Sequence, residues 1–272
     1  MLSVTIQPKR FIFLLFLFTT GLFNLYSESV FSLDLKTDIV ITTLGLGLFL
    51  GGTLPVSEPS IPNNLSRDDV NVFDKWLMFP NNDTVHIVRD RMRWVIPILP
   101  AITPLVCVIG NDFKTWLKYG LTYGLMYTQA IQLTIGTVYI IKRPVNRYRP
   151  RYYFDGFIDY PIDDDSFPSD TTAYTFMSAT FLSYTFSAEF PLSPWKFPII
   201  IGSYALATTV TVMSIASGQH YLTDVLVSAA IGAFYGWIIP TLHRTTIHRT
   251  TNKEKRISFH FTGNGGIITV KW

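Results

Sequence analysis

The chain of 272 residues is 48% hydrophobic and only 15% charged, with a positive mean hydropathy. That balance weighs against a large soluble core and favours an integral membrane protein. The net charge of +3 is small and the basic residues gather at segment ends, which argues against nucleic-acid binding, and the single cysteine, Cys107, has no partner for an internal disulfide.

In chain order, Lys9 and Arg10 precede an apolar run from Phe11 to about Phe23, after which Asn24, Ser27 and Glu28 are polar. Residues 1–28 therefore read as a signal peptide or an uncleaved anchor: the run is short for a bilayer crossing, and no small-x-small cleavage site follows it. Six apolar segments come next, at about 39–55, 94–110, 116–141, 170–190, 197–216 and 221–242. They predict an all-α, six-helix membrane bundle, with Thr, Ser, Tyr and Gly suited to helices that pack on one another. The polar stretch Ser57 to Arg93 reads as a loop with a short helix or interfacial piece. After Leu242 a basic tail, 244–272, ends in alternating residues around Asn264 and Gly265, the signature of a small C-terminal β-hairpin. Trp76, Trp94, Trp116 and Trp195 lie near segment ends and fit an interfacial aromatic belt.

Three stretches carry chemistry. "KRPVNRYRP", residues 142–150, crowds four cations into nine positions after a long apolar segment. Pro144 and Pro150 are expected to break the helix there, so that a compact loop aims Lys142 and Arg149 at one point. A lysine point charge beside an arginine fork suits a phosphate, although a basic cluster at a helix end is also an ordinary membrane anchor. "SFPSDTT" places Ser169 at the start of an apolar helix, either as a plain N-cap or as an anion-binding hydroxyl. "ASGQHYLTD" sets His220 and Asp224 four apart, so that the carboxylate can accept from one imidazole nitrogen and leave the other free as a nucleophile; a structural pair is the alternative.

Taken together, these stretches resemble the motifs of the type 2 phosphatidic acid phosphatase and vanadium haloperoxidase superfamily, in order and in position relative to the helices. Its pattern is Lys-x6-Arg-Pro, then Pro-Ser-Gly-His, then Ser-Arg-x5-His-x3-Asp. Lys142, Arg149 and Pro150 match the first, Pro168 and Ser169 half of the second, and His220 and Asp224 the end of the third. The similarity spans roughly residues 38–243, the expected membrane domain. It implies a bundle of the phosphatidic acid phosphatase kind in which His220 attacks phosphorus, Asp224 orients it, and Lys142, Arg149 and Ser169 hold the phosphoryl oxygens. It also implies a metal-independent reaction with no cofactor, on a lipid phosphate or pyrophosphate, among membrane lipids.

Two departures from the pattern touch the chemistry. Asp170 and Thr171 replace Gly-His, and Met213 and Ser214 replace Ser-Arg, so the general acid and one phosphate clamp of the family are absent. Each such loss typically lowers a rate by about 10²–10⁴. The expected function is therefore phosphate hydrolysis through a phospho-histidine, weak or altered. An inactive relative that binds an anionic lipid is the alternative, and a transporter with accidental motifs is a third. Arg143, Arg147 and Arg151 are candidates to replace the lost clamp. Asp163, Asp164 and Asp165 read as a solvated turn and not a metal site, and His86, His243, His248 and His260 as surface or interfacial residues. The basic end after the last helix puts that end in the cytoplasm and the site on the outer face of a cell (inner) membrane.

Overall fold

A computed structural model describes residues 29–54, 65–155, 164–245, 257–262 and 265–270. The expected signal or anchor lies outside these described residues. Helix α1, Leu35–Thr53, starts where the Asp34 carboxylate accepts from the Thr37 backbone N–H at 3.0 Å. The polar stretch that follows is more structured than a loop: it holds a 3-10 turn, Arg67–Asp69, a short helix α2, Val72–Lys75, and a ten-residue helix α3, Asp83–Met92, capped by Asn82. The segment expected at 94–110 is not one regular helix. Pro97 and Pro100 lack the amide hydrogens that α-helical pairing needs, so a 3-10 stretch, Ile96–Ala101, leads into α4, Ile102–Val108.

Helix α5 runs 33 residues, Phe113–Val145, straight through Pro144. The expected break at that proline falls one residue later: Pro144 has no amide to donate back along the helix, and only Val145 follows it. The helix ends at Asn146, in the left-handed conformation with φ 44°. A short helix α6, Tyr152–Asp155, precedes α7, Asp170–Glu189, then α8, Lys196–Ala216, and α9, Leu222–Leu242. In the carboxy-terminal tail, Ile257–Thr262 (β1) pairs antiparallel with Gly265–Val270 (β2).

Among the described residues four stretches are long and apolar enough to cross a membrane: Leu35–Thr53, Asp83–Val108, Lys196–Ala216 and Leu222–Leu242. Helices α5 and α7 are comparably long but carry Gln129, Thr134, Thr172, Thr175 and Thr185 into the protein interior, where each is fully buried. Central α7 packs most extensively on α9, and the approach is close enough to require glycine. A Cβ on Gly232 would stand 2.0 Å from the Ala173 carbonyl oxygen, and one on Gly236 2.4 Å from that of Met177.

One end of the bundle is tied by buried polar contacts. His243 Nε2 lies 2.8 Å from Asp38, Gln129 donates to the same carboxylate, and Glu189 accepts from Tyr123 and Ser29. His243 is thus buried, not interfacial, since its two ring nitrogens are both engaged within the protein. The other end gathers the last turn of α5, the first turn of α7 and the corner between α8 and α9.

Candidate active site

At that second end, Gly218 turns the chain from α8 into α9 with φ +69° and lies so close to the Phe79 and Pro80 carbonyls that a Cβ would clash with both. The turn delivers His220, 1% exposed, to the start of α9. Its Nδ1 is 2.8 Å from the Ser166 carbonyl oxygen and its Nε2 is 3.3 Å from Arg149 Nη1. A carbonyl can only accept and a guanidinium only donate, so Nδ1 carries the proton and Nε2 presents a lone pair. Burial pushes the imidazole pKa down to about 4; nearby Asp224 opposes this and Arg149 adds to it. At neutral pH the ring is uncharged, the form a nucleophile needs.

Asp224 lies 3.8 Å from Nδ1, beyond hydrogen-bond reach. The expected direct His–Asp bond is replaced by a relay through one residue: Ser166 Oγ donates to Asp224 at 2.6 Å while the Ser166 carbonyl holds His220. The Tyr221 amide also donates to Asp224, at 2.9 Å, so Asp224 organises the helix start that carries His220.

Arg147 is anchored deeper than expected for a spare clamp. It donates to Asp224 and to Asp74, both at 2.5 Å, with its guanidinium 3.9 Å from the Tyr221 ring centroid. Burial pushes the Asp74 carboxyl up, but hydrogen bonds from Arg147, Thr223 and Asn71 outweigh it and hold the group below the usual range. Asp74 is completely buried and fastens α2 to the site. Arg143 donates to the Leu54 carbonyl, and Arg151 to Gln219 and Tyr152.

The structure brings Lys142 and Arg149 together as the sequence predicts, and both meet Asp165. Lys142 pairs with its carboxylate at 3.6 Å and donates to its carbonyl, while Arg149 bonds the carboxylate directly. Asp165 is half exposed, as a turn residue would be, but two cations also hold it at the site. Ser169 caps α7 by accepting from the Thr172 amide at 3.3 Å and is fully buried. Asp170 and Thr171 follow it in the first turn, and Arg93 donates to Thr171 at 3.3 Å. The Ser214 hydroxyl donates to the Val210 carbonyl of its own helix, and its carbonyl accepts from the Gln219 and His220 amides.

Two cavities meet at Tyr139. One, of about 430 Å³, is lined by Lys142, Arg143, Asn146 and Asp165. The other, of about 230 Å³, joins polar Arg93, Asp170 and Thr171 to apolar Ile131, Ile135 and Trp94. Among the described residues no cluster of His, Cys, Asp and Glu has the makings of a metal site.

A helical membrane protein with a cation cluster against a neutral, buried histidine is the setting for phosphoryl chemistry. Residues 119–247 match the PAP2 superfamily. The chain is 24% identical over 198 residues to a Lipid A 1-phosphatase of Porphyromonas gingivalis; the match covers 71% of this chain and 40% of that relative, so the chain spans about two fifths of its length. A crystal structure of a transmembrane PAP2 type phosphatidylglycerolphosphate phosphatase from Bacillus subtilis aligns over 85% of this chain and 94% of that one, with 17% identity and a TM-score of 0.45. The chain is thus similar to the PAP2 superfamily over those residues, a little under half of its length.

Proposed function

We propose that the protein removes phosphate from a lipid phosphomonoester or lipid pyrophosphate through a phospho-histidine on Nε2 of His220. The observation that carries this reading is the ring's tautomer: Nδ1 is tied to Ser166, and the Nε2 lone pair faces Arg149. Lys142 and Arg149 would exchange Asp165 for phosphoryl oxygens. Nε2 would then form a P–N bond as the P–O bond to the lipid breaks, and water would later cleave P–N to release phosphate. The helix start at Ser169 offers further donors to the phosphoryl group. Lipid phosphate chemistry also agrees with the name of the Porphyromonas relative.

Thr171 cannot donate a proton with the ease of the histidine it replaces, so the leaving oxygen must depart with little help. A pyrophosphate or an anomeric phosphate fits best. The same substitution, with Asp165 filling the cation pair, favours the second reading: a relative that binds an anionic lipid without turnover. Asp170→Gly with Thr171→His separates the two. A gain of about 10²-fold or more with poor leaving groups marks a working site that lacks its acid, whereas no gain favours the binding protein.

The architecture we infer for this activity is a six-helix membrane domain over 38–243, preceded by a signal or anchor at 1–28 and followed by a basic tail with a β-hairpin over 244–272. The site faces the periplasm or exterior. The test of function is phosphate release from lipid monophosphates and pyrophosphates by the detergent-solubilised protein. Release that His220→Ala abolishes supports the phosphatase; release that survives the mutation contradicts it.

A further inference from the structure

Helix α3 brings cations to the site that the family motifs do not contain. Arg89 and Arg93 are four apart and so share one helix face. Arg89 is 5% exposed. Its Nε and Nη2 both donate to Asp90 Oδ1, at 3.1 and 2.6 Å, while its Nη1 is buried with no hydrogen-bond partner. One turn on, Arg93 donates to Thr171 in the first turn of α7, which brings this face of α3 to the site, and the charges of Arg149 and Asp170 act on Arg89. Helix α3 packs on α8, the helix that carries Ser214 where the family pattern has arginine.

A buried guanidinium edge without an acceptor costs free energy, and a second guanidinium nearby raises that cost. An anion between Arg89 and Arg149 would relieve both. We propose that Arg89 is a phosphate-binding residue whose free Nη1 takes a phosphoryl oxygen of the substrate, supplying from α3 the cation missing at Ser214. This rests on the reading of the site as a phosphate site. Arg93, held against Thr171 at 3.3 Å, closes the same side and lines the half-apolar cavity next to it. The phosphate is thus gripped between α5 and α3 and not by the α8 corner.

The test measures orthovanadate binding and lipid phosphate hydrolysis by the full-length protein in detergent, with folding checked by thermal unfolding. Arg89→Gln is expected to weaken vanadate binding and kcat/KM by about 10²-fold or more, and Arg89→Lys, which keeps a charge but not the fork, by about tenfold. Adding Ser214→Arg to Arg89→Gln should restore part of the loss, while Ser214→Arg alone should give no gain. Lys142→Ala is the reference for the site itself. If the wild type binds vanadate and Lys142→Ala abolishes this, but Arg89→Gln binds like the wild type, the proposal is overturned and the site reading stands. If the wild type binds no vanadate, both fall. Should Arg89→Gln fail to fold, Arg89→Lys decides: binding equal to wild type overturns the proposal.

Discussion

The lone pair of His220 Nε2 faces Arg149 Nη1 at 3.3 Å, so the candidate nucleophile and a cation that would hold its target touch each other. A phosphoryl group entering between them would take Arg149 as its oxygen ligand and expose Nε2 to phosphorus. The arrangement works only while the ring stays neutral.

That condition can be tested by titration. Burial, reinforced by the positive charge of Arg149, lowers the His220 pKa from 6.5 to about 4. Nitrogen-15 NMR of labelled histidine should show a neutral, Nδ1-protonated ring through pH 5, with charging only near pH 4. The sign for stability follows: the folded pKa lies below the unfolded one, so the contribution is complete above pH 6.5 and is lost as the pH falls towards 4. A midpoint at 6 or above would sink the assignment of a buried, neutral nucleophile.

Arg147 bridges two carboxylates, Asp74 and Asp224, that are both fully buried. Arg147→Ala removes the cation they share, leaves them only neutral donors, and should cost about 3–5 kcal/mol of stability. Thermal unfolding in detergent measures this, and Arg147→Lys should recover part of it. A stability within about 0.5 kcal/mol of wild type would mean that the bridge is not structural.

Asp165 competes for the cations that the substrate needs. Removing its charge with Asp165→Asn should tighten vanadate or inorganic phosphate binding by about tenfold, the worth of one charge-assisted hydrogen bond. Calorimetric titration of both anions checks this. Weaker binding in the variant would show that Asp165 helps to build the anion site instead of occupying it.

Much of this arrangement was legible in the sequence, for identifiable reasons. Long apolar segments with polar interruptions gave five of the six expected helices to within a few residues, since burial of an apolar run and the capping of its ends are local properties, while 94–110 became a 3-10 stretch and a short helix. Lys142, Arg149, His220 and Asp224 were singled out by their spacing and by its resemblance to the family motifs. The role of Arg147 was not, because its partner Asp74 lies 73 residues away in a stretch with no apolar period. Ser166 escaped notice because half of its work is done by its carbonyl, which any residue would supply. Helix α3 carried one signal that could have been used: Asn82 as a cap followed by Arg89 and Arg93 on one face. Asp165 looked like one of three aspartates in a turn, and only the fold brings it between Lys142 and Arg149.

The central claim is covalent catalysis by His220, and the direct measurement is to trap the intermediate. Protein mixed with a phosphorus-32-labelled lipid pyrophosphate and quenched in base within milliseconds to seconds should carry label that is stable to alkali, released by acid, and mapped to His220. His220→Ala should carry none. Turnover of the lipid without any acid-labile label on His220 under these conditions, or label that persists in His220→Ala, would contradict the account.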